Sequence, residues 1–363
     1  MAEHIIKEEH THFTYSAVTL NTEVELKSYK EAMCSPQSEE WLEAIEDEKN
    51  SLIALGVFKT IKCSDVPKDC KLVGSKMVFK IKQNERGNIS HYKVRIVAKG
   101  YSQVPGVDFF DTYAPVTHLT SVQILLAIAN TCGLELEQLD VKMAYLYGDL
   151  NETIYMVPPE GINTSSDDIW VLKKSLYRLK QSGKAWNDKI HDILTTMGFY
   201  CCAGNQCVYT YNTDDIYCAL ALYVDDILLA CDLEDFLNKL KVDLKSNFNI
   251  VKLGPAKFLL GIEIECNCDQ HTISISQCRY IDEMLDQFGM MDANPSFTPM
   301  ASKVKLTAGT SAEHEDVKEL PYQSLTGSLL YAAMATHPDI AYAVAQLCKY
   351  NSLYTRTHWV AAK

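Results

Sequence analysis

The sequence predicts an α+β fold, because two kinds of apolar pattern follow one another along the chain. Apolar residues recur every three or four positions at 120–132 and 184–197, which indicates amphipathic helices. Apolar runs at 134–141 and 219–230 indicate buried strands, the second of them folded into a hairpin. A helix, a strand, a second helix and a hairpin in this order are typical of the split βαβ arrangement of ferredoxin-like folds.

The amino-terminal part is expected to be less regular than the rest. Residues 1–35 show no clear period and are predicted to form a poorly defined lead-in. A helix is predicted to begin at Ser35-Pro36, since proline suits the first helical position, and to end at Gly56. Its apolar face would consist of Trp41, Ile45, Leu52 and Leu55.

Length and composition are those of a globular protein with two or three subdomains: 363 residues, 47% of them hydrophobic and 22% charged. No run of 18 apolar residues occurs, and the first segment, MAEHIIKEEH, lacks an apolar signal region. We therefore expect neither a membrane span nor secretion. The 13 cysteines show no zinc-site spacing, which favours reduced thiols in a cytoplasmic protein.

Positive charge is concentrated in two segments, although the net charge is −13. Residues 68–99 hold nine lysines and arginines against two acids, and residues 173–189 hold six against one. The alternation at 76–99 predicts a hairpin with six cations on one face, namely Lys76, Lys80, Lys82, Lys93, Arg95 and Lys99. Such a face could simply be solvated. Six like charges repel one another, however, which favours an anionic partner such as phosphate.

Three aspartates are candidates for a metal site. Asp140 lies near the end of the predicted strand LELEQLDV, and Asp225 and Asp226 interrupt the apolar hairpin ALALYVDDILLA. Aspartate is a common turn residue, so the pair alone is compatible with an ordinary hairpin turn. If the strands are adjacent, however, the three carboxylates could together hold two Mg²⁺ ions for phosphoryl transfer, with the cationic face binding phosphates.

Several segments resemble the reverse transcriptase of copia-type retrotransposons. The segments QLDVKMAYLYGDL, SLYRLKQSGKAW and LYVDDILLA occur in the order found in that family. HYKVRIVAKGYSQ, FFDTYAPVTHLTSV, FLLGIEIE and YQSLTGSLLYAAMATHPDIAYAV resemble it as well, so the likeness runs from about residue 36 to the end. The resemblance implies a right-hand polymerase with a ferredoxin-like palm, fingers and a helical thumb. Such an enzyme copies RNA or DNA templates from a primer.

The resemblance also implies a division of the chain. After the lead-in (1–35), it assigns residues 36–115 to the fingers, 116–150 to the palm, 151–183 to a return into the fingers, 184–265 to the palm with the YVDD hairpin and primer grip, 266–318 to the thumb and 319–363 to the start of a connection region. An RNase H domain is not recognisable within the sequence.

Individual roles follow from the same resemblance. Asp140, Asp225 and Asp226 match the catalytic carboxylates, which bind two Mg²⁺ ions or Mn²⁺, with the carbonyl of Val141 as a further ligand. Residues matched to nucleotide binding are Lys93, Arg95 and Lys99 in the triphosphate cradle, Tyr145 as a steric gate against a 2′-hydroxyl, and Gln181 in the nucleotide and template pocket. Tyr145 could equally be a plain core tyrosine.

The implied partners are an RNA or DNA template-primer, deoxynucleoside triphosphates and other Pol segments such as RNase H and integrase. No membrane is involved, and the expected location is the cytoplasm, including virus-like particles. The sequence departs from the family at Arg178, where glycine is usual, and at Tyr147, where asparagine is usual. An alternative is therefore a catalytically decayed remnant that only binds nucleic acid or a particle protein.

Overall fold

The computed structural model describes residues 26–83, 89–162, 165, 167–267, 270–301 and 305–363. The chain divides into two compact units, one ending at Pro255 and the other running from Ala256 to Lys363. Among the described residues, no helix combines the length and the apolar character needed to cross a bilayer.

The helices are α1 (Tyr29–Cys34), α2 (Ser38–Ala54), α3 (Leu119–Cys132), α4 (Ser182–Thr196), α5 (Glu234–Asn247), α6 (Cys278–Gln287), α7 (Ser311–Glu315), α8 (Tyr322–Ala335), α9 (Ala341–Cys348) and α10 (Arg356–Ala362). The strands are β1 (Phe58–Lys62), β2 (Ser75–Gln83), β3 (Ile89–Ala98), β4 (Glu135–Val141), β5 (Asp149–Met156), β6 (Asp168–Lys174), β7 (Tyr200–Cys202), β8 (Asn205–Asn212), β9 (Tyr217–Tyr223), β10 (Asp226–Cys231), β11 (Ile250–Pro255), β12 (Phe258–Leu259), β13 (Ile262–Asn267) and β14 (Thr272–Ser276).

The first unit is built on a six-stranded antiparallel sheet with the strand order β11-β4-β10-β9-β8-β7. In its first four strands, β4 and β9 run in the same direction with β10 between them, which is the predicted split βαβ arrangement. Helices α4 and α5 share one apolar core with this sheet, to which they contribute Trp186, Ile190, Leu194, Leu237, Leu240 and Leu244. These two helices thus cover one face of the sheet.

A second core in the same unit joins α2 to the hairpin β2-β3 and to the strands β5 and β6. Trp41 of α2 packs edge-on against Phe79 and Tyr92, with ring centroids 5.3 and 4.7 Å away. The predicted hairpin at 76–99 is confirmed in its two strands, whereas its predicted turn, 84–88, lies outside the described residues. The helix stop predicted at Gly56 is also confirmed, since α2 ends two residues earlier and Gly56 has a positive φ of 65°.

Part of the predicted lead-in forms a helix. Ser28 caps α1, because its hydroxyl accepts a hydrogen bond from the backbone N–H of Glu31. Residues 1–25, the larger part of the lead-in, lie outside the described residues. A six-residue helix with one buried residue leaves almost no apolar period in the sequence, which explains why periodicity did not predict it.

The second unit combines the small sheet β12-β13-β14 with helices α6 to α10. Strand β13 runs through the boundary expected at residue 265. Phe288 and Val317, on the thumb side of the boundary expected at residue 318, share one core with Tyr322 and Leu347. The division into fingers, palm and thumb remains a prediction.

Candidate active site

The three candidate catalytic aspartates lie at the same end of two neighbouring strands. Asp226, the first residue of β10, is paired with Asp140 of β4. The backbone N–H of Val141 donates a hydrogen bond to the carbonyl oxygen of Asp225, with an N–O distance of 2.8 Å. Sequence positions more than eighty residues apart are thereby brought together by strand pairing.

The turn that carries Asp225 is tight and strained. Strands β9 and β10 are joined by Val224 and Asp225 alone, and Val224 has a φ of 56°, a value that β-branched residues rarely adopt. The indole nitrogen of Trp186, on α4, donates a hydrogen bond to the carbonyl oxygen of Val224 at 2.7 Å. This turn is therefore held on one side by β4 and on the other by α4.

The carboxylates sit in an environment that disfavours their charge. Burial raises the pKa of Asp226 to about 6, and Asp225 and Asp140 add to the rise. Burial followed by the charge of Asp225 also raises the pKa of Asp140, against the opposing charges of Lys93, Lys142 and Arg95. Burial and the neighbouring carboxylates therefore outweigh the nearby cations in their effect on the pKa values of Asp140 and Asp226.

Carboxylates grouped at one end of neighbouring strands fit a hard divalent cation in donor type and in sign. Among residues 26–83, 89–162 and the other described ranges, no three His, Cys, Asp or Glu side chains converge into a ready-made metal cluster. The Asp226 carboxylate instead accepts a hydrogen bond from Nε2 of Gln138, at 3.1 Å. The aspartates could hold a metal ion only if their side chains turned toward a common point.

Two cations of the β2-β3 hairpin lie near these aspartates. Burial is the largest cause that lowers the pKa of Lys93, and the charges of Arg95 and Lys82 lower it further. The charges of Glu48 and Asp140 oppose the change. The guanidinium carbon of Arg95 lies 5.3 Å from the ring centroid of Tyr177. Lys99 comes directly after β3, and its half-buried side chain lies against Gly74.

Tyr145 lies between the core and the aspartates. Its ring packs edge-on against that of Tyr177, with centroids 6.1 Å apart. Burial raises the pKa of Tyr145 to about 12, with Asp225 as the next cause. The side chain is half-buried and also packs on the core of the sheet. This environment is compatible with both roles of Tyr145, the steric gate and the core residue.

Gln181 is held inside a network of hydrogen bonds. Its Nε2 donates to the carbonyl oxygen of Asp108 at 2.8 Å and to Oε2 of Glu152 at 3.2 Å, and its Oε1 accepts from Nε2 of Gln103 at 3.1 Å. Only 4% of the residue is exposed. In this conformation Gln181 supports the surrounding loops, and its direct contact with a nucleotide remains a prediction.

Arg178 has a positive φ of 67°, which supplies a physical reason for the glycine usual at this position. The loop approaches another segment closely there, since a Cβ on Gly100 would overlap the Arg178 carbonyl oxygen. The Arg178 side chain itself is exposed. The departure from the family therefore adds backbone strain to this loop.

The sequence reasoning missed two residues that hold this site. Gln138 was assigned no role, although it precedes Asp140 by two positions and so projects from the same face of the strand. Trp186 was predicted as an apolar core residue, and nothing in the sequence showed that its ring nitrogen would meet Val224. The spacing of two residues between Gln138 and Asp140 is a signal that could have predicted the role of Gln138. The hydrogen bond from Trp186 to Val224 is visible only in the tertiary structure.

Comparison with known families decides what kind of protein carries this site. Residues 58–302 match the family model described as reverse transcriptase (RNA-dependent DNA polymerase). The chain belongs to the reverse transcriptase family. The predicted membership is thereby confirmed, and the reverse transcriptase is an RNA-directed DNA polymerase domain of the copia type.

Several relatives of this reverse transcriptase are transposon proteins. It is 35% identical over 353 residues to the retrovirus-related Pol polyprotein from transposon TNT 1-94 of Nicotiana tabacum, covering 95% of the chain and 26% of the relative. It is 32% identical over 334 residues to that from transposon RE2 of Arabidopsis thaliana, covering 92% of the chain and 22% of the relative. The putative transposon Ty5-1 protein of Saccharomyces cerevisiae is 30% identical over 214 residues, or 58% of the chain and 68% of the relative. The chain thus spans about a quarter of the two plant polyproteins.

Proposed function

We propose that this chain synthesises DNA on a primed RNA or DNA template, as part of a retrotransposon Pol polyprotein. The observation that carries the proposal is the pairing of Asp226 with Asp140, together with the hydrogen bond from Val141 to Asp225. Three carboxylates at one strand end, in a family of polymerases, match the oxygen-rich centre that phosphoryl transfer needs.

Asp140, Asp225, Asp226 and the carbonyl of Val141 would hold two Mg²⁺ ions, or Mn²⁺ in their place. Bound there, the metal would lower the pKa of the primer 3′-hydroxyl and neutralise charge on the leaving pyrophosphate. The raised pKa values of Asp140 and Asp226 support this assignment, because burial and the neighbouring carboxylates destabilise the charged forms, which a bound cation would stabilise.

The cationic hairpin would bind the triphosphate of the incoming deoxynucleotide. Lys93 and Arg95 are close enough to Asp140 for their charges to lower its pKa, so a triphosphate held by them would lie beside the catalytic carboxylates. Lys99, which comes directly after the same strand, would extend this cradle. Tyr145 would exclude a ribose 2′-hydroxyl from its position near Asp225.

The division of labour in this proposal is that of a right hand. The six-stranded sheet would act as the palm, the β2-β3 hairpin as part of the fingers and residues 266–318 as the thumb. RNase H and integrase segments of a Pol polyprotein would be partners, and the expected location is the cytoplasm or a virus-like particle.

The test is Mg²⁺-dependent primer extension by wild type and by Asp140→Asn, which removes a ligand charge with little change in volume. We expect extension to fall at least about 1,000-fold, because metal ligation contributes several kcal/mol to such reactions. Glu135→Gln is the matched control, since it removes an exposed charge from the other end of the same strand.

Two outcomes would contradict the proposal. Extension at the wild-type rate by Asp140→Asn would show that Asp140 is not part of the catalytic centre. A wild-type chain that binds template-primer but never extends it would support the decayed remnant instead. The exposed, strained Arg178 is the observation that favours this second candidate.

A further inference from the structure

Glu48 is a buried carboxylate beneath the cationic hairpin. It lies on α2 on the same helical face as Trp41, Ile45 and Leu52, all of which are apolar core residues. Only 8% of Glu48 is exposed, and an acidic side chain is almost never buried to this extent unless it has a partner. The helix therefore inserts one negative charge into an otherwise hydrophobic face.

The contact made by Glu48 is with the strand that carries the cradle. Its Oε1 accepts a hydrogen bond from the backbone N–H of Ile96 at 3.1 Å. Ile96 lies directly after Arg95, and in the described sheet β3 pairs with β2 alone. Glu48 thus satisfies a donor on the free edge of β3 and attaches α2 to it.

The charge of Glu48 also reaches two of the cations near the catalytic aspartates, Arg95 and Lys93. Burial raises the pKa of Glu48, which the hydrogen bond from Ile96 and the charges of Arg95 and Lys93 oppose. A neutral acceptor such as glutamine could satisfy Ile96 without the cost of burying a charge. The hydrogen bond to Ile96 therefore does not by itself require a charge, and the effect that a carboxylate adds at this position is electrostatic.

The position of Arg95 shows what this charge does. The guanidinium of Arg95 lies over the ring of Tyr177, which also packs edge-on against the ring of Tyr145. Arg95 is exposed, so in water its long side chain has many alternative rotamers. A buried negative charge behind it favours the conformation that stays over Tyr177 and faces the aspartates.

We propose that Glu48 is a positioning residue for the triphosphate cradle, acting through Arg95 and, to a lesser extent, Lys93. The inference rests on the proposed role of the hairpin in nucleotide binding. Glu48 touches neither substrate nor metal in this assignment. It orders the cations before the nucleotide arrives, so that less of the binding energy is spent on fixing them.

The test is a double-mutant cycle with Glu48→Gln and Arg95→Ala, measured by steady-state primer extension. Glutamine retains the acceptor for Ile96 and removes the charge. We expect Glu48→Gln to raise the KM for deoxynucleotides about fivefold with kcat unchanged within about twofold, because ground-state binding alone is weakened. In the Arg95→Ala background the same substitution should have little further effect on KM.

The controls separate positioning from folding. Glu43→Gln removes an exposed charge from the same helix and should leave KM unchanged. Urea unfolding of Glu48→Gln should show a stability equal to or above that of wild type. If stability falls and kcat and KM change in parallel, Glu48 is structural and the inference is wrong.

Failure of the inference is distinct from failure of the proposed function. If Arg95→Ala raises KM and Glu48→Gln does not, the cradle stands and the role of Glu48 is lost. If Arg95→Ala leaves KM unchanged while the wild type extends primers, the cradle itself is misassigned. Equal effects of Glu48→Gln with and without Arg95 would also overturn the inference, since Glu48 would then act by another route.

Discussion

Two turns of the central sheet each carry an adjacent pair of aspartates, and their surroundings differ. Asp214 and Asp215 lie in the four-residue turn between β8 and β9 and are exposed. Asp225 and Asp226 lie eleven positions later, at the other end of β9, and are half-buried opposite Asp140. Like charges at a hairpin turn cost little when water solvates them, and considerably more when burial and neighbouring carboxylates raise the pKa of one of them, as they do for Asp226.

The two turns also differ in backbone conformation. In the exposed turn the hydroxyl of Thr213 accepts a hydrogen bond from the N–H of Ile216 at 3.1 Å, which is ordinary turn chemistry. In the buried turn Val224 has a positive φ and depends on Trp186 for a hydrogen bond. Partial burial of the charges and backbone strain coincide in the turn at Val224 and Asp225, whereas the described residues of the other turn are largely exposed and have no positive φ. Such coincidence is typical of a functional site.

The largest expected difference between the pairs is catalytic. We expect Asp225→Asn to lower Mg²⁺-dependent primer extension at least about 1,000-fold, since it removes a metal ligand. Asp215→Asn changes the same residue type in the exposed pair and should stay within about twofold of wild type. Rates measured with saturating template-primer decide the matter. Similar losses in both variants would show that activity depends on the net charge of the protein and not on the position of Asp225.

The second difference is in stability without metal. The pKa of Asp226 is raised from 3.8 to about 6, so the folded chain binds this proton more tightly than the unfolded chain. In EDTA, wild type should therefore lose stability relative to Asp226→Asn as the pH rises from about 4 to about 6, by about 2 kcal/mol in total. Below this window the two proteins should be equally stable.

Urea unfolding at a series of pH values measures this effect. Asp214→Asn, which changes the same residue type in the exposed turn, is the matched control. Added Mg²⁺ should stabilise wild type more than Asp226→Asn, because the ion binds the folded state through the carboxylate. If wild type is as stable as Asp226→Asn at pH 8 in EDTA, the surroundings of Asp226 do not destabilise its charged form.

The third difference concerns the hydrogen bonds that hold the turns. Trp186→Phe removes the donor to Val224, and Thr213→Val removes the acceptor for Ile216; each should cost about 1 kcal/mol of unfolding free energy. Trp186→Phe should in addition slow extension about tenfold, because misplacement of the aspartates weakens catalysis. If Thr213→Val slows extension as much, the effect of Trp186 is global and the turn is not its target.

The smallest effect concerns strain outside the carboxylate turns. Arg178 has a left-handed backbone conformation like that of Val224, but it is exposed and no aspartate adjoins it in the sequence. Arg178→Gly should raise the unfolding free energy by about 0.5 kcal/mol, since relief of the left-handed strain is partly offset by the greater freedom of glycine when unfolded. Denaturant midpoints at equal slope measure this change. A lower midpoint would show that the arginine side chain makes stabilising contacts.

Periodicity and composition determined much of the secondary structure. Local spacing predicted the helices α3 and α4, both strands of the cationic hairpin and the Asp225 hairpin, because apolar side chains recur at the positions that face the core. Ordered motifs also determined the family, since each combines several residue types at fixed spacing. These are properties of neighbouring residues, which a sequence displays directly.

Only the tertiary structure decided which of two similar aspartate pairs is buried and which partners hold it. The pairing of Asp226 with Asp140, the bond from Trp186 to Val224 and the burial of Glu48 beneath Ile96 each join residues far apart in the chain. Burial and electric potential at a side chain are sums over everything packed around it. A sequence states which charges exist, whereas the fold decides how much water remains to screen them.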